Sequence, residues 1–212
     1  MIYISENAHK EVTDYLRSLG HEITVLSPSP RVGELVNTHP DVFMCKMCDG
    51  SVIHADKNKL SPVYPGDIPY NAVCTENYFI GNLKHTAPEL IKKAESLGLT
   101  LVNVRQGYTK CSCVVLPKNA VITADEGVYS VLSKLSSFHV LKVSTGYVYL
   151  NGRKDGFIGG TCGIVGSELI VNGDLDAHPD SGDIRAFCSL HSVAVRDFKG
   201  LPLCDIGSII EV

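Results

Sequence analysis

Residues 105–125 read RQGYTKCSCVVLPKNAVITAD, and this stretch decides the fold. Cys113 opens an apolar run, Pro117-Lys118-Asn119 supplies a turn, and a second apolar run ends at Thr123 before Asp125 starts a helical pattern. Four weaker copies accompany it: DVFMCKMCDGSVIHAD at 41–56, NAVCTENYFIGN at 71–82, FIGGTCGIVGSELIVNGD at 157–174 and LPLCDIGSIIEV at 201–212. Each has an apolar stub, a cysteine, a turn and a second apolar run. The distance from cysteine to acid is 12 residues both from Cys113 to Asp125 and from Cys162 to Asp174. With Cys45, Cys74, Cys113, Cys162 and Cys204 as markers, the copies recur at intervals of 29, 39, 49 and 42 residues. Divergent repeats of that size point to a propeller, a solenoid or an array.

The bulk composition narrows the class. A chain of 212 residues with 44% hydrophobic and 20% charged residues can bury a sizeable core. Its formal net charge of −4 argues against a nucleic-acid surface, which shows as a basic excess. The opening MIYISENAHKEV lacks a basic segment followed by an apolar one, and no apolar run reaches the roughly 20 residues of a membrane span. The expectation is a cytoplasmic protein without membrane partners, whose eight cysteines are reduced thiols.

Taken in order, MIYIS reads as a strand, and Val12, Tyr15, Leu16 and Leu19 form an amphipathic helical stripe that Gly20 suits as a left-handed cap. HEITVL reads as a half-buried strand. The first repeat is followed by KNKLSPVYPGDIPY, whose three prolines replace a helix and explain the short 29-residue interval. The second leads through Thr86-Ala-Pro-Glu89, a capping-box pattern, into a helix lined by Leu90, Ala94 and Leu97. The third leads through Asp125 into Val128, Val131, Leu132 and Leu135. The fourth leads through HPDSGD into a helix that turns Ile184, Phe187 and Cys188 inward. Three copies therefore read strand–strand–helix–strand. The fifth reads as two strands, and its missing helix and strand are those of the N-terminus. A single α/β domain over 1–212 is expected: a closed five-bladed propeller of ββαβ units, sealed by pairing of the N- and C-terminal segments.

A ring of five ββαβ units is the pentein fold, and short motifs support the likeness. Phe79, Ile80, Gly81, Lys84 and Thr86 resemble a segment of dimethylarginine dimethylaminohydrolases and related guanidino-group-modifying enzymes. GFIGGTCG at 156–163 resembles a blade start of the pentein ribosome anti-association factor, and GLPLCDIGSIIEV resembles the late segment that carries the nucleophilic cysteine of the hydrolases. The resemblance implies a cysteine-dependent C–N hydrolase or amidinotransferase acting on a small guanidino or amidino compound, with Cys204 as nucleophile. It places Tyr108 near the position of the family histidine and Asn71 at one position of the carboxylates that hold the guanidinium.

The residues themselves supply the other roles. His39 and Asp41, in NTHPDVF, put a proton carrier and a cation anchor beside one strand; the bland alternative is a turn at Pro40 capped by Asp41. Asn71, Glu76, Tyr108 and Lys110 are the candidate substrate contacts. Cys45-Lys-Met-Cys48 with Cys113 offers only an incomplete zinc pattern, so no metal or other cofactor is expected. The second HPD, His178 to Asp180, reads as a loop leading into a helix. Glycines of GFIGGTCGIVG read as a crowded backbone approach, since no phosphate-loop Lys-Ser/Thr follows. The competing readings are a non-catalytic pentein that binds a ribosome or another protein, and a thiol-rich metal or redox protein.

Overall fold

The apolar runs become short strands. The computed structural model describes residues 1–212. At the N-terminus β1 (Ile2–Ser5), α1 (Lys10–Ser18) and β2 (Ile23–Leu26) form a strand–helix–strand unit in which β1 and β2 run parallel. Val12 and Leu16 of α1 are fully buried, and Gly20 ends the helix at φ +84°. A single helical turn, α2 (Pro40–Phe43), feeds β3 (Met44–Lys46), which pairs antiparallel with β4 (Val52–His54). Next come β5 (Val73–Cys74), β6 (Tyr78–Gly81), α3 (Pro88–Ser96) and β7 (Thr100–Asn103). The template stretch supplies β8 (Cys113–Leu116) and β9 (Ala120–Thr123), then α4 (Glu126–Leu132) and β10 (His139–Lys142). The fourth copy gives β11 (Cys162–Val165), β12 (Glu168–Val171), α5 (Ser181–Leu190) and β13 (Ala194–Arg196). The chain ends in β14 (Ile210–Glu211).

The result is a mixed α/β fold of five small sheets: β14-β1-β2, β3-β4, β5-β6-β7, β8-β9-β10 and β11-β12-β13. In every three-stranded sheet the central strand pairs antiparallel on one side and parallel on the other, the signature of a ββαβ unit. The proline-rich 57–70 stretch carries only one short 3-10 turn, Lys57–Lys59, so the first sheet stops at two strands as its sequence requires. Helices pack over their own sheets: Leu90 and Ala94 meet Phe79, Val128 and Leu132 meet Val121, and Ile184 and Cys188 meet Leu169. Each of the buried Leu, Val, Ile and Phe side chains among them stabilises the fold by about 1.5–3 kcal/mol. No helix is long and apolar enough to cross a membrane.

Two expectations change. The fifth copy does not contribute two C-terminal strands. It contributes only β14, whose antiparallel partner is β1, with Ile2 opposite Glu211 and Tyr3 opposite Ile210. Cys204 therefore does not occupy a first strand, unlike Cys45, Cys74, Cys113 and Cys162. Its segment is held earlier: Cys204 N–H donates to Asn172 O, Asp205 N–H donates to Tyr149 O, and Gly173 packs directly on Pro202 and Leu203. The capping box at Thr86–Glu89 is absent as well. Pro88 starts α3 and Ala87 flanks it, so the Thr86 hydroxyl donates to Asn82 O while Glu89 accepts from the Tyr70 hydroxyl. Asp125 does cap α4, accepting from Val128 N–H at 2.8 Å.

One pH effect arises here. His178 is buried, accepts from Asp180 N–H through Nδ1 and faces the Tyr147 ring and the Asp180 carboxylate. Burial holds its pKa below the ordinary value of 6.5 despite Ser144 O and Asp180. The unfolded chain then binds the proton more readily. Stability is complete above about pH 6.5 and falls as pH drops below it, by up to about 1.4 kcal/mol per pH unit for one group. His178→Asn, which keeps the acceptor, is expected to flatten the slope of urea-unfolding free energy against pH between 5 and 6.5; an unchanged slope would count against it.

Candidate functional site

The turns that precede the first strands converge. Asn71 lies two residues before β5, Cys111 two before β8, Gly160 two before β11 and Ser208 two before β14, and Asp41 lies in the helical turn before β3. Asp41 is wholly buried and is the centre of the cluster. Its Oδ1 accepts from Asn71 Nδ2 at 3.0 Å, its Oδ2 accepts from the Ser208 hydroxyl at 2.8 Å, and the Cys111 thiol donates to it at 3.0 Å. Its own N–H donates to Gly207 O. Asn71 also donates to Cys111 Sγ at 3.3 Å, while its Oδ1 accepts from the N–H groups of Lys110 and Cys111. One amide thus fixes both the carboxylate and the loop that delivers the thiol. Lys110 Nζ donates to Ser208 Oγ at 2.8 Å. Ser208 sits at φ +73°, a strained conformation of the kind held in place by surrounding structure at functional sites.

His39 and Asp205 complete the cluster. His39 Nδ1 lies 3.9 Å from Asp205 Oδ1, and Asp205 accepts from Phe157 and Gly207 N–H groups. Burial lowers the His39 pKa, so its ring is neutral; the Asp41 charge opposes that shift. Burial raises Asp41, and it raises Asp205 to about 6. Burial and then the Asp41 charge push the Cys111 thiol well up, which fits a thiol that donates to a carboxylate.

Beyond this cluster lies a cavity of about 360 Å³. All five first strands wall it: Met44–Lys46 of β3, Cys74 of β5, Val114–Leu116 of β8, Cys162–Ile164 of β11 and Ile210–Glu211 of β14. Lys110, which precedes β8, also lines it, and Glu76, Lys118 and Cys48 follow the far ends of their strands. Most of the wall is apolar or sulfur. Burial pushes the Cys45 thiol up to about 12, and Cys113 and Cys162 to about 11. Burial also raises Cys74, whose Sγ accepts from Cys48 N–H at 3.2 Å. None of these thiols is held as a thiolate.

A family of unknown function, DUF6873, matches residues 53–210, about three-quarters of the chain. The chain belongs to that family. No curated protein matches the sequence. Among solved structures, this DUF6873 chain resembles a dimethylarginine dimethylaminohydrolase adduct with 4-chloro-2-hydroxymethylpyridine, with a TM-score of 0.51 and 15% identity over 92% of this chain and 90% of that one. It also resembles a variant of dimethylarginine dimethylaminohydrolase in an adduct with S-methyl-L-thiocitrulline, with a TM-score of 0.50 and 15% identity over 92% and 91% of the two chains. The likeness shows a pentein fold.

Within that fold, four of the residues singled out by sequence meet: His39, Asp41, Asn71 and Lys110. Glu76 lines the cavity instead. Tyr108 is apart from the cluster, its hydroxyl donating to Asp67 Oδ2 at 2.6 Å. Cys204 is half-buried, its thiol makes no hydrogen bond, and burial followed by Asp205 raises its pKa. The thiol that reaches His39 and Asp41 is Cys111. Sequence reasoning saw Cys111 only as one thiol of a Cys-Ser-Cys pair, and it missed Asp205 and Ser208. The available signal was the residue two positions before the first strand, which is Asn71, Cys111 and Ser208 in three of the five copies.

Proposed function

We propose that the five sheets are the blades of a closed α/β propeller, one domain over residues 1–212, whose axial cavity binds a small zwitterionic guanidino or amidino compound. The ligand's carboxylate rests on Lys110, and its cationic end lies between Glu76 and Glu211. One observation carries this reading: a 360 Å³ cavity walled by all five first strands is lined by Lys110, which precedes β8, and by Glu76 and Glu211, which lie at the far ends of their strands together with Lys46 and Lys118. That volume is typical of small-molecule sites, and an apolar wall with a few placed charges is their usual lining. The likeness to dimethylarginine dimethylaminohydrolase structures with small-molecule adducts supports the choice of ligand class.

Calorimetry with L-arginine and with its decarboxylated analogue agmatine tests the orientation. Arginine is expected to saturate one site, and agmatine to bind about 10- to 100-fold more weakly, because it lacks the charge-assisted partner of Lys110. Lys110→Met is expected to erase the difference. Equal affinities, or no saturable heat from either compound, would overturn the reading.

The contact of Cys111 with Asp41 beside His39 favours a second reading, thiol-dependent C–N bond cleavage by Cys111 and not by Cys204. A haloacetamidine probe should then modify Cys111 at near-neutral pH, as mapped by peptide mass. Modification confined to exposed Cys48, or none at all, would leave binding alone.

A further inference from the structure

We propose that His39, Asp41 and Cys111 bind one divalent transition-metal ion, zinc by preference, beside the cavity. A ring nitrogen of His39, a carboxylate oxygen of Asp41 and the sulfur of Cys111 all lie within 4.8 Å of one another. The three residues are 2%, 0% and 1% exposed. Cys111 Sγ is 3.0 and 3.1 Å from the two Asp41 oxygens, close to the roughly 3.5 Å between ligand atoms that tetrahedral zinc bonds produce.

The second observation is independent of that spacing. Neither ring nitrogen of His39 makes a hydrogen bond, and Nδ1 is a buried polar atom without a partner. Buried polar groups are almost always satisfied, so an imidazole left without a partner beside a thiol and a carboxylate points to a ligand. Asp205 Oδ1, 3.9 Å from Nδ1, is the candidate for the fourth position.

The surroundings are those of a metal site. Asn71 donates to both Cys111 Sγ and Asp41, and Ser208 donates to Asp41, so two of the three ligands are already oriented by outer partners. Binding replaces the thiol proton: the Cys111 S–H bond breaks, sulfur keeps the electron pair and bonds the ion, and the proton leaves to solvent. A sulfur, nitrogen and oxygen set selects zinc or cobalt over magnesium or calcium. The other acidic cluster, Asp174, Asp176 and Asp197, is already paired with Lys199 and Arg185. This site does not depend on the cavity's ligand.

The test uses the full chain, stripped with a chelator and titrated with cobalt(II). One equivalent is expected to bind with a thiolate-to-cobalt charge-transfer band, and zinc is expected to displace it. Cys111→Ser should abolish the band, His39→Asn should weaken binding at least about 10-fold, and a Cys48→Ser/Cys74→Ser double variant should leave both unchanged. X-ray absorption of the zinc-loaded wild-type protein, which needs no variant to fold, should show one sulfur and otherwise nitrogen or oxygen ligands. No saturable cobalt binding, a band that survives Cys111→Ser, or two or more sulfur ligands would overturn the site.

Discussion

Replacing Gly163 with alanine is expected to destabilise the protein by about 3 kcal/mol, the upper end of the usual cost of overpacking. Gly163 lies on β11, and a Cβ there would fall 1.8 Å from Ile209 O and 2.7 Å from the Ile209 carbonyl carbon. The neighbour cannot step aside cheaply, because Ile209 N–H donates to Cys162 O and the next residue starts β14. Two first strands therefore approach so closely that only hydrogen fits between them. At the size of this chain the loss corresponds to a Tm fall of roughly 6–12 °C. Gly182 provides the contrast, since it lies in α5 and an added Cβ would meet nothing within 4 Å. Gly182→Ala is expected to raise stability by about 0.5–1 kcal/mol through helix propensity alone. Urea unfolding of the two variants decides the matter: if Gly163→Ala lies within about 0.5 kcal/mol of the parent, the strands are not packed as described.

The close approach is legible in the sequence, because the glycines of GFIGGTCGIVG are not followed by a phosphate-loop lysine and suit a crowded backbone. The same holds for most of the architecture. Runs such as Cys113–Leu116 and Ala120–Thr123 around a Pro-Lys-Asn turn fix a strand pair locally, and Lys118 and Asn119 adopt φ +58° and +54° to make the turn. Asp125 and Gly20 mark helix ends by chemistry confined to a few residues. The fifth copy misled because its cysteine mimics the marker of the others. What places β14 is not local: it is the pairing of residues 2–3 with 210–211 across the length of the chain.

The cluster was half legible for the same reason. His39 and Asp41 stand out as a base and an acid in three residues, Asn71 comes from the family resemblance, and Lys110 stands in the turn of the template stretch. Cys111 joins Asp41 across 70 residues and Ser208 joins it across 167, and neither residue type is distinctive in a turn. A cysteine in a Cys-Ser-Cys run or a serine after glycine reads as ordinary turn chemistry. Only folding shows that both donate to the same carboxylate.

That carboxylate supplies the other large effect. In chelator-treated protein, Asp41→Ala is expected to cost about 3–5 kcal/mol, the range for removing one partner from a buried charged network. Two effects oppose each other. Burial penalises the Asp41 charge, so its removal relieves a desolvation cost. Against this, the Asn71 amide and the Cys111 thiol each lose their acceptor, and Lys110 loses a counter-charge; Ser208 alone can turn to Gly159 O at 3.1 Å. Each buried donor left without an acceptor costs about 1–3 kcal/mol, so the losses outweigh the relief. Asp41→Asn separates charge from hydrogen bonding. Its one oxygen can serve Asn71 or Ser208 but not both, and its amide points a donor at donors, so a smaller loss of about 1–3 kcal/mol is expected. Unfolding midpoints in urea for the parent and both variants check the order. If the alanine variant is as stable as the parent, the carboxylate is held for its chemistry alone and adds nothing to the fold; if asparagine is the worse of the two, the unmatched donor outweighs the lost charge.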